Sequence, residues 1–169
     1  MNWVFAVFLV LHVGGAIFAF GPTLTFPLIG SMGGKEPMHV NFAVRVAERI
    51  EERLIVPLAI LQAITGIVII WTLPVNILDG AHWWLILGIA LYVIALIIVF
   101  MNQIPVTRQL VEATNTPPPA PAPGAPPPSG PPPHIAALVR RNQMGGMILT
   151  VLLFVIIILM VAGAKGFLF

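Results

Sequence analysis

Four polar side chains, His12, Gln62, Thr65 and Tyr92, stand inside long apolar segments of the sequence. At about 1.5 Å of helix per residue, His12 and Tyr92 each lie about 13 Å from one edge of their segment, and Gln62 falls near the middle. Polar groups in hydrocarbon are costly without partners, so an ionisable residue there is a candidate for function. Two hypotheses stay open: Gln62 and Tyr92 bond His12 and hold helices together, or His12 belongs to a binding site.

Small residues follow His12 at helical spacing and give its helix a flat face. Gly15 and Ala19 form a small-xxx-small pair, which lets a neighbouring helix approach closely. The same face would accept a planar macrocycle, with the His12 imidazole as an axial ligand of haem b. Met160 is nearer to His12 in depth than the other histidines and could serve as a second ligand, although a methionine in an apolar helix usually packs. Five-coordinate binding, or one histidine from each of two protomers, remains open. In the cofactor hypothesis, His12 is the metal ligand and no residue is catalytic. The residues of this predicted binding site are His12, Gly15, Ala19, Gln62 and Tyr92.

The composition predicts a membrane protein. Hydrophobic residues make up 59% of the chain and charged residues 8%, whereas about a quarter is usual for charged residues in soluble domains. The absence of cysteine excludes disulfides, thiolate metal sites and cysteine catalysis. The net charge of +2 gives no support for nucleic-acid binding. No signal-peptide pattern is present, so we expect the first segment to be retained.

Four apolar segments are long enough to cross a bilayer: residues 3–29, 54–73, 83–101 and 145–163. Only helices satisfy their own backbone in lipid as open-ended elements, so the sequence predicts an all-α four-helix membrane bundle. Seven of the eight Lys and Arg residues lie in the two connections on one side. The positive-inside rule then places these connections in the cytoplasm and both termini outside, as in a multi-pass protein of the bacterial inner membrane.

The polar connections divide the chain into residues 1–114 with three spans, a linker at 115–133, and 134–169 with the fourth span. Eleven of the seventeen prolines fall in the linker, which predicts an extended polyproline II segment. Residues 41–53 predict an amphipathic helix at the membrane surface, with Asn41 as its N-cap and three arginines near lipid phosphate. A docking or anion site is the alternative for these arginines, which are Arg45, Arg49 and Arg53.

Prolines interrupt the inner half of the first span at Pro22 and Pro27 and the start of the second at Pro57. Each proline removes a backbone donor and bends its helix. The carbonyl oxygens that the prolines leave free could take bonds from Thr23, Thr25 or water.

Two stretches, LHVGGAIFAFGPTLTFPL and AVRVAERIEERLIVPLAILQAITG, resemble a bacterial family of predicted integral membrane proteins, a domain of unknown function. The resemblance is close over about the first 75 residues and extends to the last two helices by hydropathy. The matching positions are His12, Arg45, Arg49, Arg53, Thr65 and Gly66. That family is distantly similar to CopD-type copper-resistance proteins and HemJ-type protoporphyrinogen oxidases, which implies haem or quinone contact. This chain lacks the HemJ-type lysine in its third or fourth helix and any clustered Met/His motif.

Three functions follow from these features. The main hypothesis is a non-catalytic accessory or scaffold protein that packs in the bilayer with itself or with a larger membrane complex. It rests on the small-residue faces of the first and fourth helices and on the lack of a catalytic set. The second is a haem-binding redox or tetrapyrrole protein that uses His12. The third is a small-solute or ion conduit along the polar residues at mid-depth.

Overall fold

The chain folds into four long helices. A computed structural model describes residues 3–73, 80–116 and 130–164, and these residues are almost entirely helical and contain no strand. All four helices are long and apolar enough to cross a membrane. They are α1 (Trp3–Lys35), α2 (Val40–Thr72), α3 (Gly80–Thr114) and α4 (Pro133–Ala164). The predicted all-α class and its four spans are confirmed, whereas linker residues 117–129 lie outside the described residues.

The helices are longer than the apolar spans that they contain. Each has at least 31 residues, which corresponds to about 46 Å or more, whereas the hydrocarbon layer is about 30 Å thick. The excess consists of the polar segments on the side that carries most of the basic residues. Each span therefore continues as a helical extension beyond the hydrocarbon.

Inside α1, a 3-10 turn at Gly21–Thr25 joins the α-helical segments Trp3–Phe20 and Phe26–Lys35. The hydroxyl of Thr23 donates to the carbonyl oxygen of Phe20 at 2.6 Å, and that of Thr25 donates to the carbonyl oxygen of Pro22 at 2.7 Å. Each threonine therefore bonds a carbonyl oxygen three residues earlier on its own helix, and neither acceptor is one of the oxygens four residues before Pro22 and Pro27, which belong to Phe18 and Thr23. The proline-rich segment thus changes the winding of α1 without ending the helix.

Two π-helical turns interrupt the α-helical winding, at Glu51–Ile55 in α2 and at Val99–Gln103 in α3. Each turn lies where a polar extension meets an apolar span. A π turn inserts an extra residue and so rotates the helix face that follows it. Both turns contain a buried polar side chain, Glu51 in α2 and Gln103 in α3.

The predicted amphipathic helix forms the first turns of α2, as the α-helical segment Val40–Ile50. Its apolar face packs against α1, since a Cβ built on Gly33 would lie 3.1 Å from the Cβ of Ala43. The prediction of Asn41 as N-cap is wrong, because a 3-10 turn ends at His39 and the helix begins at Val40, so that His39 occupies the N-cap position. Asn41 instead donates from Nδ2 to the carbonyl oxygen of Val111 at 3.0 Å.

The three arginines that are predicted to contact lipid phosphate lie along this part of α2. Arg45, Arg49 and Arg53 are exposed in the structure. Because Val40–Ile50 continues through the π turn into the span, the three arginines stand at successive turns of one helix. Their contact with lipid phosphate stays a prediction.

The chain divides into two compact units, one of Met1–Val75 with Leu110–Ser129 and the other of Asn76–Gln109 with Gly130–Phe169. In the first unit, α1 packs along α2. In the second unit, α3 packs along α4. Each unit is therefore built on one closely packed pair of membrane-capable helices.

Adjacent glycines show how closely these helices approach. Three glycine pairs occur in α1 and α4, and in each pair one glycine faces another helix while a Cβ on the other would meet nothing within 4 Å. Successive residues of an α-helix are about 100° apart, so only one member of a pair can face the neighbour. The facing glycines are Gly15, Gly33 and Gly145, and their open neighbours are Gly14, Gly34 and Gly146.

Candidate functional site

The centre of the first unit is a hydrogen bond between α1 and α2. His12 Nδ1 lies 2.9 Å from Thr65 Oγ1, and Thr65 is only 1% exposed. The Thr65 hydroxyl also lies 3.0 Å from the carbonyl oxygen of Leu61 and 3.1 Å from that of Gln62. A hydroxyl has one proton, and the helix carbonyls take it. His12 therefore donates from Nδ1, which leaves the lone pair of the neutral imidazole on Nε2.

Gly66 makes room for the imidazole ring. A Cβ built on Gly66 would lie 3.2 Å from His12 Cε1 and 3.7 Å from His12 Nδ1. The ring thus rests over the backbone of α2, directly beside the residue that accepts its proton. This contact explains the Thr65-Gly66 sequence in physical terms: threonine supplies the acceptor, and glycine supplies the space.

Gln62 fills the flat face that follows His12. A Cβ on Gly15 would lie 3.0 Å from Gln62 Oε1, and Gln62 is 8% exposed. Among the described residues, no hydrogen-bond donor reaches this oxygen. Ala19, one turn further along α1, is 0% exposed. The small-residue face is therefore covered, with α2 packed against it at Gly15.

This packing bears on the haem hypothesis. A macrocycle lying flat against Gly15 would occupy the space that the Gln62 side chain fills. The imidazole Nε2 has the lone pair that an axial ligand needs, but the face beside it does not fit a planar ring while α2 stays in place. Within residues 3–73, 80–116 and 130–164, no group of three or more His, Cys, Asp or Glu side chains could hold a metal ion.

Of the residues predicted for the site, the structure brings together His12, Gly15 and Gln62. Ala19 is buried in the same unit. Tyr92 is half-buried on α3, in the second unit. Met160, one candidate for a second ligand, also belongs to the second unit, where its methyl group lies against Gly88 of α3. The side-chain hydrogen-bond partner of His12 is the Thr65 hydroxyl, whereas the Gln62 side chain lies against Gly15.

A second polar cluster joins α3 to α4, and the sequence reasoning missed it. Gln103 Nε2 donates to Asn142 Oδ1 at 2.6 Å, and the Thr107 hydroxyl donates to the same oxygen at 3.4 Å. Beside them, Arg141 Nε donates to Asn102 Oδ1 at 2.7 Å. A sequence signal existed, since an Asn-Gln pair ends the third apolar span and another precedes the fourth.

Gly145 lets this cluster close against α4. A Cβ built there would lie 2.5 Å from Gln103 Oε1 and 2.6 Å from Asn102 Nδ2. Gln103 is 9% exposed, and its Oε1 has no hydrogen-bond donor among the described residues. Two consecutive amide side chains of the π turn therefore lie directly on the backbone of α4.

Both helical pairs fall within one family of membrane proteins. Residues 6–163 match the family described as "Predicted integral membrane protein (DUF2269)". The chain belongs to this family. The DUF2269 match runs from α1 almost to the end of α4, so the resemblance predicted mainly from the first two helices is confirmed for all four. No curated protein and no solved structure matches this DUF2269 chain.

Proposed function

We propose that this DUF2269 protein is a non-catalytic structural component of a membrane assembly, bound to a second copy of itself or to a larger complex. The proposal rests on the observation that the polar groups of the first unit bond each other across the interface between its two helices. His12 bonds Thr65 across the α1–α2 interface at 2.9 Å, and its ring packs on Gly66. Side chains engaged in this way hold helices together, as interhelical hydrogen bonds commonly do in membranes.

The open glycines support association with a further helix. A Cβ on Gly14 or on Gly21 would meet nothing within 4 Å among the described residues. Seven residues make nearly two helical turns, so these glycines lie close to one face of α1. Small residues on such a face allow another helix to approach closely, where packing and not hydrophobicity drives association.

Crosslinking in native membranes tests the proposal. We expect the 18.2 kDa chain to be captured in species of at least twice its mass and to migrate with them in native gels. Gly14→Leu is expected to weaken this association because it fills the open face, whereas Leu9→Phe adds bulk on a different exposed face and leaves it intact. Migration of the native chain at the monomer mass, with no crosslinked product, would contradict the proposal.

The haem hypothesis for His12 is the alternative, and it is supported by the bond of Nδ1 to Thr65, which leaves Nε2 as the nitrogen that could bind a metal. An absorption spectrum of the protein purified from membranes separates the two functions. A Soret band that His12→Ala abolishes would support haem ligation. A spectrum without such a band, or with one that the substitution does not change, removes this alternative.

A further inference from the structure

Two contacts between α3 and α4 mark the thickness of the apolar layer. At one end, the indole of Trp84 lies against Gly163, and at the other, Arg141 bonds Asn102. The contacts are 18 residues apart on α3 and 22 on α4, or about 27 and 33 Å. The hydrocarbon layer is about 30 Å thick. Asn102 directly follows the third apolar span and Arg141 lies four residues before the fourth, so we place this contact where hydrocarbon meets the lipid headgroups.

No carboxylate of the same helices lies near the charges at this level, since Glu112, the one acidic residue of α3, is ten residues beyond Asn102. Arg140 and Arg141 are adjacent on α4, and both are exposed. Residues 80–111 and 130–169 contain no Asp or Glu. The partner of Arg141 in the structure is the amide oxygen of Asn102, which carries no charge. Two guanidinium groups thus bring net positive charge to the headgroup level of this helix pair.

The contact with Asn102 also orients the guanidinium group. Arg141 uses Nε for the bond at 2.7 Å, so the two terminal NH2 groups keep their donors for another acceptor. A planar guanidinium with parallel donors matches phosphate oxygens in a bidentate arrangement. Asn102 is itself fixed, because its amide lies on the backbone of Gly145 and the next residue, Gln103, bonds Asn142.

We propose that Arg141, oriented by Asn102 and assisted by Arg140, binds the phosphate of an anionic phospholipid. The chemistry recognised is a phosphate oxyanion, and its depth at the edge of the hydrocarbon favours a lipid headgroup over a phosphate ion from solution. The distribution of basic residues predicts that this leaflet is the cytoplasmic one. The inference goes beyond the structural role proposed above and does not depend on it.

Native mass spectrometry of the full chain, released from nanodiscs of equal phosphatidylglycerol and phosphatidylcholine, tests this site. The native chain is expected to retain phosphatidylglycerol preferentially, because the phosphate of phosphatidylcholine is already paired with the choline cation of its own headgroup. Arg141→Gln is expected to lower that preference about tenfold, because a charge-assisted bidentate contact is lost. Lys35→Gln removes one exposed charge at the end of α1 and is expected to leave the preference unchanged.

Two further measurements test whether the orientation of the guanidinium matters beyond its charge, and whether the ligand is a lipid or a free phosphate ion. Asn102→Ala keeps both arginines but frees the guanidinium, and we expect about a threefold loss of preference. Equal retention of the two lipids by the native chain, or a preference that neither substitution changes, would overturn the proposal. Displacement of the bound lipid by millimolar inorganic phosphate would assign the site to the free ion instead. Each variant is first checked for native helix content by circular dichroism, and Arg141→Lys replaces Arg141→Gln if that variant does not fold.

Discussion

Replacement of Gly145 by alanine is expected to destabilise the α3–α4 pair by about 1–3 kcal/mol, the usual cost of overpacking a well-packed interface. The new methyl group would lie 2.5 Å from Gln103 Oε1 and 2.6 Å from Asn102 Nδ2. Both amide groups must then move, which weakens the bond from Gln103 to Asn142 and the bond from Arg141 to Asn102. The free energy of unfolding in lipid bicelles, measured by steric trapping, reports this loss.

The adjacent glycine provides a matched control. A Cβ on Gly146 would meet nothing within 4 Å, so Gly146→Ala adds the same methyl group one residue away without a clash. Alanine also favours the helix over glycine by up to about 1 kcal/mol, so we expect a neutral or slightly stabilising effect. An equal loss of stability in the two variants would show that the close contact at Gly145 does not support the interface.

The second large loss of stability is expected at Gly163, at the opposite end of the α3–α4 pair. A methyl group on Gly163 would fall onto the six-membered ring and the Cγ atom of the Trp84 indole. The indole is rigid and held on α3, so relief requires a shift of the ring or of the helix. We expect Gly163→Ala to lower the free energy of unfolding by about 1–3 kcal/mol in the bicelle experiment.

Gly88→Ala tests whether rigidity of the neighbour decides this outcome. The methyl group there would meet the terminal carbon of Met160, the far end of a flexible side chain that adopts other rotamers at low cost. We expect a loss of less than about 1 kcal/mol at this position. A larger loss at Gly88 than at Gly163 would contradict the explanation.

The spans and the depth of the polar residues could be predicted from the sequence, because both depend on hydropathy and on the helical rise per residue. Counting along the chain places His12 and Gln62 near one level, and the structure brings both into the α1–α2 interface. Depth says nothing about rotation around the helix axis, however. Thr65 lies one turn from Gln62, and its position on α2 makes it the residue that meets the imidazole.

The sequence shows an Asn-Gln pair beside the third span and another beside the fourth, but it does not predict that these amides bond each other. Periodicity analysis assumes 3.6 residues per turn, whereas a π turn at Val99–Gln103 changes the winding at this point. The extra residue shifts the helix face that follows it, and both amides of the turn, Asn102 and Gln103, lie against Gly145 of α4. A prediction from hydropathy also places the end of each span at its last apolar residue, whereas the observed helices continue into polar sequence.

A double-mutant cycle between His12 and Thr65 tests directly whether this histidine serves to hold α1 to α2. His12→Phe and Thr65→Val keep the approximate shapes and remove the hydrogen bond from either side, and the cycle isolates the pairwise energy. The predicted coupling in the free energy of unfolding is about 0.6–1.7 kcal/mol, as for other interhelical bonds in membranes. Thr72, whose hydroxyl bonds the carbonyl oxygen of Ile69 on its own helix, serves as the control partner, and Thr72→Val is expected to show no coupling to His12→Phe. A coupling of zero between His12 and Thr65, in variants that retain their helix content, would contradict a structural role for His12.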